Sequence, residues 1–440
     1  MSIADQSMAR GLRVLNRLAG GTLLDRLGVR KQSERAIYHA SRTGFGVAAA
    51  AARSFKGSKP NGAKRLPNVG DPGLFDLTPS EDQAMLQDAA QRFADEALRP
   101  AAADANEAST ADQALLDMAN ELGIAILGIP EELGGAGTER STVTNVLVAE
   151  ALAHGDMGLA FACLAPSAVS NALVLWGNAE QQGTYLPAFT EESSPVAALA
   201  LAEPTPLFDP MTPATTATPV DGGWTLSGIK SLVPNAASCE LLIVGAMVEG
   251  EGPALFVVES DPARMKIAAD PAMGLRAAAT GQIRFDEVVV PASARLGASA
   301  EAATAAYREC VRLSRLAWCA MAAGTGKAVL DYVIPYVNDR QAFGEPISHR
   351  QSVAFMVANI AIELESMRLT TLRAASLAEQ GKPYAREAAI ARRLCVDKGM
   401  QIGSDGVQLL GGHGFTKEYP VERLYRDLRA IGVMEGGLLV

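Results

Sequence analysis

The chain has 440 residues, 48% of them apolar, 5% aromatic and 20% charged, with a formal net charge of −10. A chain this long can bury a large core and would divide into two or three domains. Its acidic balance gives no reason to expect a nucleic-acid partner. The five cysteines (Cys163, Cys239, Cys310, Cys319, Cys395) form no CxxC pair and read as buried thiols in a reducing compartment. The four histidines (His39, His154, His349, His413) lack HxxxH or HExxH spacing, which excludes the usual zinc patterns.

The acidic total hides an asymmetry. Residues 1–70 carry thirteen Lys or Arg against Asp5, Asp25 and Glu34, a local charge of +10, so the remainder is 26 minus 46, or −20. Leu12, Leu15 and Leu18, then Leu23, Leu24 and Leu27, recur at near-helical spacing with Arg10, Arg13 and Arg17 on the other side. Two basic amphipathic helices are expected in an extension over residues 1–54. No run in it reaches the roughly 18 to 20 apolar residues needed to span a bilayer, and no secretory signal is present. Arg-rich, acid-poor composition is shared with transit peptides. An interfacial anchor on anionic lipid and a basic arm packed on the acidic body are both open. The expected localisation is cytoplasmic, with peripheral contact at the inner membrane surface. Residues 55–76, rich in Lys, Gly, Pro, Ser and Asn, read as a linker.

A first helical domain is expected over residues 77–199. Thr78-Pro79-Ser80-Glu81 has the marks of a helix start, and Met85, Leu86, Ala89, Phe93 and Leu98 make one apolar face. Further helices are expected over 112–122, 141–153 and 165–176, with the glycine-rich turn GIPEELGGAGTE between the first two.

The period changes after Glu203. Short apolar or β-branched runs at 224–226, 241–248, 255–258 and 283–290 predict a small antiparallel β-domain over residues 200–297. VDGGW and EGEGP carry hairpin chemistry. Helical periodicity returns over 312–330, 332–340, 349–380 and 386–410, predicting a helical bundle in residues 298–440.

Near the C-terminus Gly411 and Gly412 break an apolar helix, and adjacent glycines let a ligand approach the backbone closely. A short helix is expected from Pro420. Glu435 then sits between Met434 and Gly436, where burial would raise its pKa toward that of a general base. The plainer reading is a surface Glu in a fraying turn.

The order Q-LLGG-G-F, EYP-ER, RD and EG, with Glu435 eight residues after Asp427, resembles the C-terminal signature of acyl-CoA dehydrogenases. The similarity runs from about Leu77 to Gly437, through ALVLWGNAEQQGTYLPAF and MGLRAAATGQIRFDEVVVPASARLG. It implies a mainly helical protein: an N-terminal helical domain, a middle antiparallel β-barrel and a C-terminal four-helix bundle. It also implies FAD as cofactor and Glu435 as catalytic base. By the same resemblance Arg340 would pair with the FAD pyrophosphate, Phe343 would pack on the cofactor and Gln351 would hydrogen-bond to it. Gln408, Gly411 and Gly412 would contact the FAD of a neighbouring subunit, in a homodimer or homotetramer.

The chain departs from the family at the flavin ring. Where the pattern reads TEPGAGSD, this chain begins Ala202-Glu203-Pro204, and the aromatic and Thr of the next segment become Leu232 and Pro234. Pro234 has no N–H to offer. The family's Thr after the EG pair is Gly437, and the position of an alternative base on a bundle helix is Ser314, which cannot act as a base unaided. The expected activity is FAD-dependent α,β-dehydrogenation of an acyl-CoA, with electrons passing to an electron-transferring flavoprotein. A flavin-poor scaffold subunit and a flavin oxidase on the same fold are the alternatives.

Overall fold

The computed structural model describes residues 78–135, 140–191 and 194–436. The expected basic extension, the linker and Gly437 lie outside the described residues.

The N-terminal region is helical. Ser80 caps α1 (Glu81–Phe93) with a full capping box, its hydroxyl taking the Gln83 N–H while Gln83 returns a bond to Ser80 N. A wider turn over Ala94–Leu98 carries the chain into α2 (Arg99–Ala108). There follow α3 (Gln113–Glu121), α4 (Thr142–Gly155), α5 (Met157–Trp176) and α6 (Ala179–Phe189). Asp156 caps α5 and starts it eight residues earlier than the periodicity suggests, because the GLAFACLA stretch is apolar on every face. Among the described residues α5 alone is long and apolar enough to cross a membrane, yet 67% of that window is buried in the protein core.

The middle region is a curled seven-stranded sheet: β1 (Ala197–Ala200), β2 (Thr216–Val220), β3 (Gly223–Val233), β4 (Leu241–Val248), β5 (Gly252–Glu259), β6 (Met265–Ala269) and β7 (Gly281–Pro291). Both expected hairpins form, β2–β3 across Asp221-Gly222 and β4–β5 across Glu249–Glu251. The sheet is not wholly antiparallel as expected: β1 and β2 both pair in parallel with β4. Those two strands escaped the sequence pattern because AALA has no β-branched residue and TATPV carries Pro219.

The C-terminal region contains α7 (Ala300–Asp339), α8 (Gln351–Glu379), α9 (Ala385–Leu410) and α10 (Val421–Leu428). The two helices expected over 312–340 are one helix of 40 residues that also begins earlier. Pro335 falls in its last turns, where one missing N–H does not stop it. A minimal hairpin, β8 (Gln341–Ala342) and β9 (Glu345–Pro346), joins α7 to α8. One continuous core runs through α1, α4, α5 and the bundle, with Trp318, Met367 and Leu152 in it, while a second fills the sheet around Phe256. All five cysteines are buried free thiols.

Candidate active site

After α10 the chain reverses through Arg429–Gly432, and Glu435 takes a left-handed conformation with φ 50° followed by Gly436 at φ 92°. A Cβ on Gly436 would lie 2.5 Å from Pro210 Cδ and 2.8 Å from Phe208 O, so only glycine fits. Two arginines hold this strained turn by its carbonyls. Arg315 Nη2 donates to Glu435 O at 2.8 Å, and Arg392 Nη2 donates to Met434 O at 2.8 Å and also to Gly436 O. Non-glycine residues in this conformation cost about 1 to 3 kcal/mol and persist only where the surroundings over-determine them. Here that constraint turns the carboxylate inward.

Glu435 is 5% exposed. Its Oε1 accepts a 2.8 Å bond from Ser314 Oγ on α7, and its Oε2 is buried without a partner. Burial pushes its pKa above the usual carboxylate range, and the Ser314 hydrogen bond, the charges of Arg392 and Arg315 and the nearby Trp318 indole N–H only partly oppose this. A buried carboxylate with one free oxygen and a raised pKa is a proton acceptor suited to work near neutral pH.

Glu435 lines a cavity whose walls come from α4, α5, α7 and the edge of the sheet. Phe161 and Trp318 pack together on its wall with ring centroids 4.8 Å apart. Ala202 and Pro234 lie on the same wall, so the structure brings these two sequence-expected residues together with Glu435. The bulge just before Pro234 is tied from behind: Ser231 Oγ and Leu232 N both donate to Asp270 Oδ2, at 2.5 and 3.0 Å. Beneath it Lys230, fully buried, donates to Glu203 Oε1 at 2.8 Å, and burial pushes its pKa down to about 8.

The other expected site residues are not in that cavity. Arg340 caps the end of α7, exposed; Phe343 is 96% exposed with φ 56° and lies under the Arg350 guanidinium; Gln351 opens α8. Gln408, Gly411 and Gly412 are exposed at the end of α9, and a Cβ on either glycine would meet nothing within 4 Å. The two surface groups meet through Tyr336, whose hydroxyl donates to Leu410 O at 3.2 Å one turn before Arg340. Among the described residues the Arg340 guanidinium has no ion-pair or hydrogen-bond partner.

Arg315 and Arg392, which clamp the Glu435 turn, were not singled out by the sequence. Neither was the bond from Ser314, which the sequence marked only as the alternative position of a base. The one available signal was arginine on apolar helices, and that does not tell a clamp from a solvated face.

Three family profiles match the chain: "Acyl-CoA dehydrogenase, N-terminal domain" over residues 80–193, the middle domain over 198–288 and the C-terminal domain over 304–437. The short/branched chain specific acyl-CoA dehydrogenase of Rattus norvegicus mitochondria is 31% identical over 81% of this chain and 83% of its own length. Benzylmalonyl-CoA dehydrogenase of Aromatoleum aromaticum is 32% identical over 81% and 94%. Among solved structures, butyryl-CoA dehydrogenase from Megasphaera elsdenii superposes with a TM-score of 0.76 at 28% identity, covering 83% of this chain and 97% of that one.

Proposed function

The chain belongs to the acyl-CoA dehydrogenase family, FAD-using oxidoreductases acting on CH–CH bonds, and from that premise we propose that Glu435 is the base removing the α-proton of an acyl-CoA thioester. The observation that carries this reading is the Glu435 side chain, which lines the cavity while its Oε2 is buried without a hydrogen-bond partner. An unpaired buried acceptor costs about 1 to 3 kcal/mol, a cost that makes sense where a substrate C–H is to be placed against it. Ser314 and the two arginines keep the carboxylate oriented while leaving that oxygen free.

The residues present fit FAD. An exposed, unpaired Arg340 beside the open Gly411-Gly412 turn suits a pyrophosphate, since the planar guanidinium fork matches phosphate oxygens. The apolar wall of Leu201, Ala202, Leu232 and Pro234 suits the face of a flavin ring. When bound, FAD supplies the acceptor for the hydride that leaves the β-carbon. Ala202 and Pro234 lack the family's hydroxyls, so packing holds the ring with about 1 kcal/mol less for each absent bond. The pyrophosphate groups lie on the surface rather than in the Glu435 cavity, which supports a homo-oligomer in which one copy completes the site of another. We extend the reading to an electron-transferring flavoprotein as electron acceptor, and to peripheral membrane contact by residues 1–54 of an otherwise cytoplasmic protein.

The carbon-lined ring site is what favours the alternative of a flavin-poor scaffold subunit. The buried Glu435 opposes it, because a chain freed from catalysis gains nothing from a strained turn and an orphaned carboxylate. The purified protein is expected to be yellow and to bleach when a saturated acyl-CoA is added without oxygen. A colourless protein that takes up no added FAD would overturn the assignment.

A further inference from the structure

A polar group lies on the wall of the same cavity: Arg140, Thr142, Asn145, Ser167 and Asn171, contributed by the start of α4 and the middle of α5. The rest of the wall is mostly carbon, including Val146, Ala168, Leu313 and Ala317. Arg140 Nε donates to Asn171 Oδ1 at 2.7 Å, Arg140 Nη1 to Thr142 Oγ1 at 3.1 Å, and Asn145 Nδ2 to Asn171 Oδ1 at 3.1 Å. Asn171 Nδ2 in turn donates to Leu127 O at 2.8 Å and Ser167 O at 2.7 Å.

These bonds fix the orientation of both amides. Arginine can only donate, so Asn171 must face it with Oδ1, and Asn145 must then turn its Nδ2 to the same oxygen. The consequence is that Asn145 Oδ1 is buried with no partner. The guanidinium has further N–H groups to give, and among the described residues no carboxylate is within ion-pair distance of it. The neighbouring acids are engaged elsewhere: Glu379 accepts from Ser141 Oγ and Val143 N, and Glu309 from Tyr384 Oη and Arg312. What the cluster lacks is a group that accepts from Arg140 and donates to Asn145, and an ionised carboxylate has no hydrogen to give.

An alcohol does both with one oxygen. Resting on the dehydrogenase reading above, we propose that the Arg140–Asn145 cluster is a specificity site for a hydroxyl group on the acyl chain of the substrate. A site built to hydrogen-bond a hydroxyl discriminates strongly against the analogue lacking it, because its own polar groups are then left buried and unpaired.

The test uses the full chain carrying Glu435→Gln, so that binding is read without turnover. Dissociation constants are measured by calorimetry for ω-hydroxyacyl-CoA esters of increasing length, for the methyl-ended esters and for the ω-carboxyacyl esters. At one length the hydroxyl ester is expected to bind at least about tenfold more tightly than the other two. Asn145→Leu and Arg140→Met added to that background should erase the preference while leaving the methyl-ended ester nearly unchanged. Equal affinities at every length would overturn the proposal, as would a preference for the carboxylate. So would an equal loss for all esters and for CoA itself on Arg140→Met, which would place Arg140 on the CoA moiety. Turnover by the protein with native Glu435 tests the dehydrogenase reading separately: a hydroxyl preference in binding without turnover would sink that reading and keep this one.

Discussion

Ser314 Oγ donates a 2.8 Å hydrogen bond to Glu435 Oε1, joining the middle of α7 to the turn 121 residues later that carries the proposed base. The bond favours the charged carboxylate against the burial that disfavours it. Ser314→Ala should therefore move the acid limb of the kcat/KM–pH profile to higher pH and lower kcat/KM about fivefold at neutral pH, the worth of one hydrogen bond of about 1 kcal/mol. A variant that only loses thermal stability, with its pH limb unmoved, would show that Ser314 acts by packing alone.

Arg392 is buried and holds the carbonyls on both sides of Glu435. Arg392→Met leaves those carbonyls unpaired and should cost about 2 to 4 kcal/mol in chemical denaturation. It should also lower kcat much more than it changes KM, since the turn's geometry rather than substrate contact is lost. Arg392→Lys, which keeps the charge but not the fork, should recover part of both. A variant with full kcat would remove Arg392 from the account.

The raised pKa of Glu435 has a stability consequence with a definite sign. Above the ordinary carboxylate value of 4.5 the folded protein holds this proton more tightly than the unfolded chain does. Stability is then lost as pH rises from that value through the raised one. Glu435→Gln removes the loss, so its melting temperature should exceed that of the native sequence at neutral pH, and the difference should shrink toward pH 4.5. A difference that is constant with pH would mean that the carboxylate titrates normally.

The charge of +10 in residues 1–70 motivates a fourth expectation. The full chain should bind vesicles rich in anionic lipid at low salt, release them as salt is raised, and lose this on deletion of residues 1–70. Indifference to such vesicles at low salt would favour a basic arm lying on the acidic body.

The parts of the fold set by local pattern were legible in the sequence, and the parts set by distant packing were not. Ser80 and Gln83 announce α1 and Asp221-Gly222 announces a hairpin, since each signal lies within a few residues, whereas Glu435 was marked only by resemblance to a family signature. The parallel pairing of β1 with β4 joins residues 44 apart in sequence, Ala197 with Leu241, and AALA carries no strand propensity of its own. Arg392 and Arg393 are adjacent, yet the first is buried against the Glu435 turn and the second is exposed beside Asp397. Helical periodicity places them 100° apart without saying which one faces inward. The Asn145 orphan was invisible for the same reason, because it follows from how Asn171 is shared between two helices and Arg140.

The central claim is that Glu435 takes the α-proton, and exchange of that proton with solvent reads this most directly. In deuterated buffer, the purified FAD-containing protein should wash deuterium into the α-position of an acyl-CoA, followed by NMR. Glu435→Gln should slow that exchange by about 10² to 10⁴, the usual worth of a general base, with the same FAD content. Exchange at an undiminished rate in the variant would contradict the account.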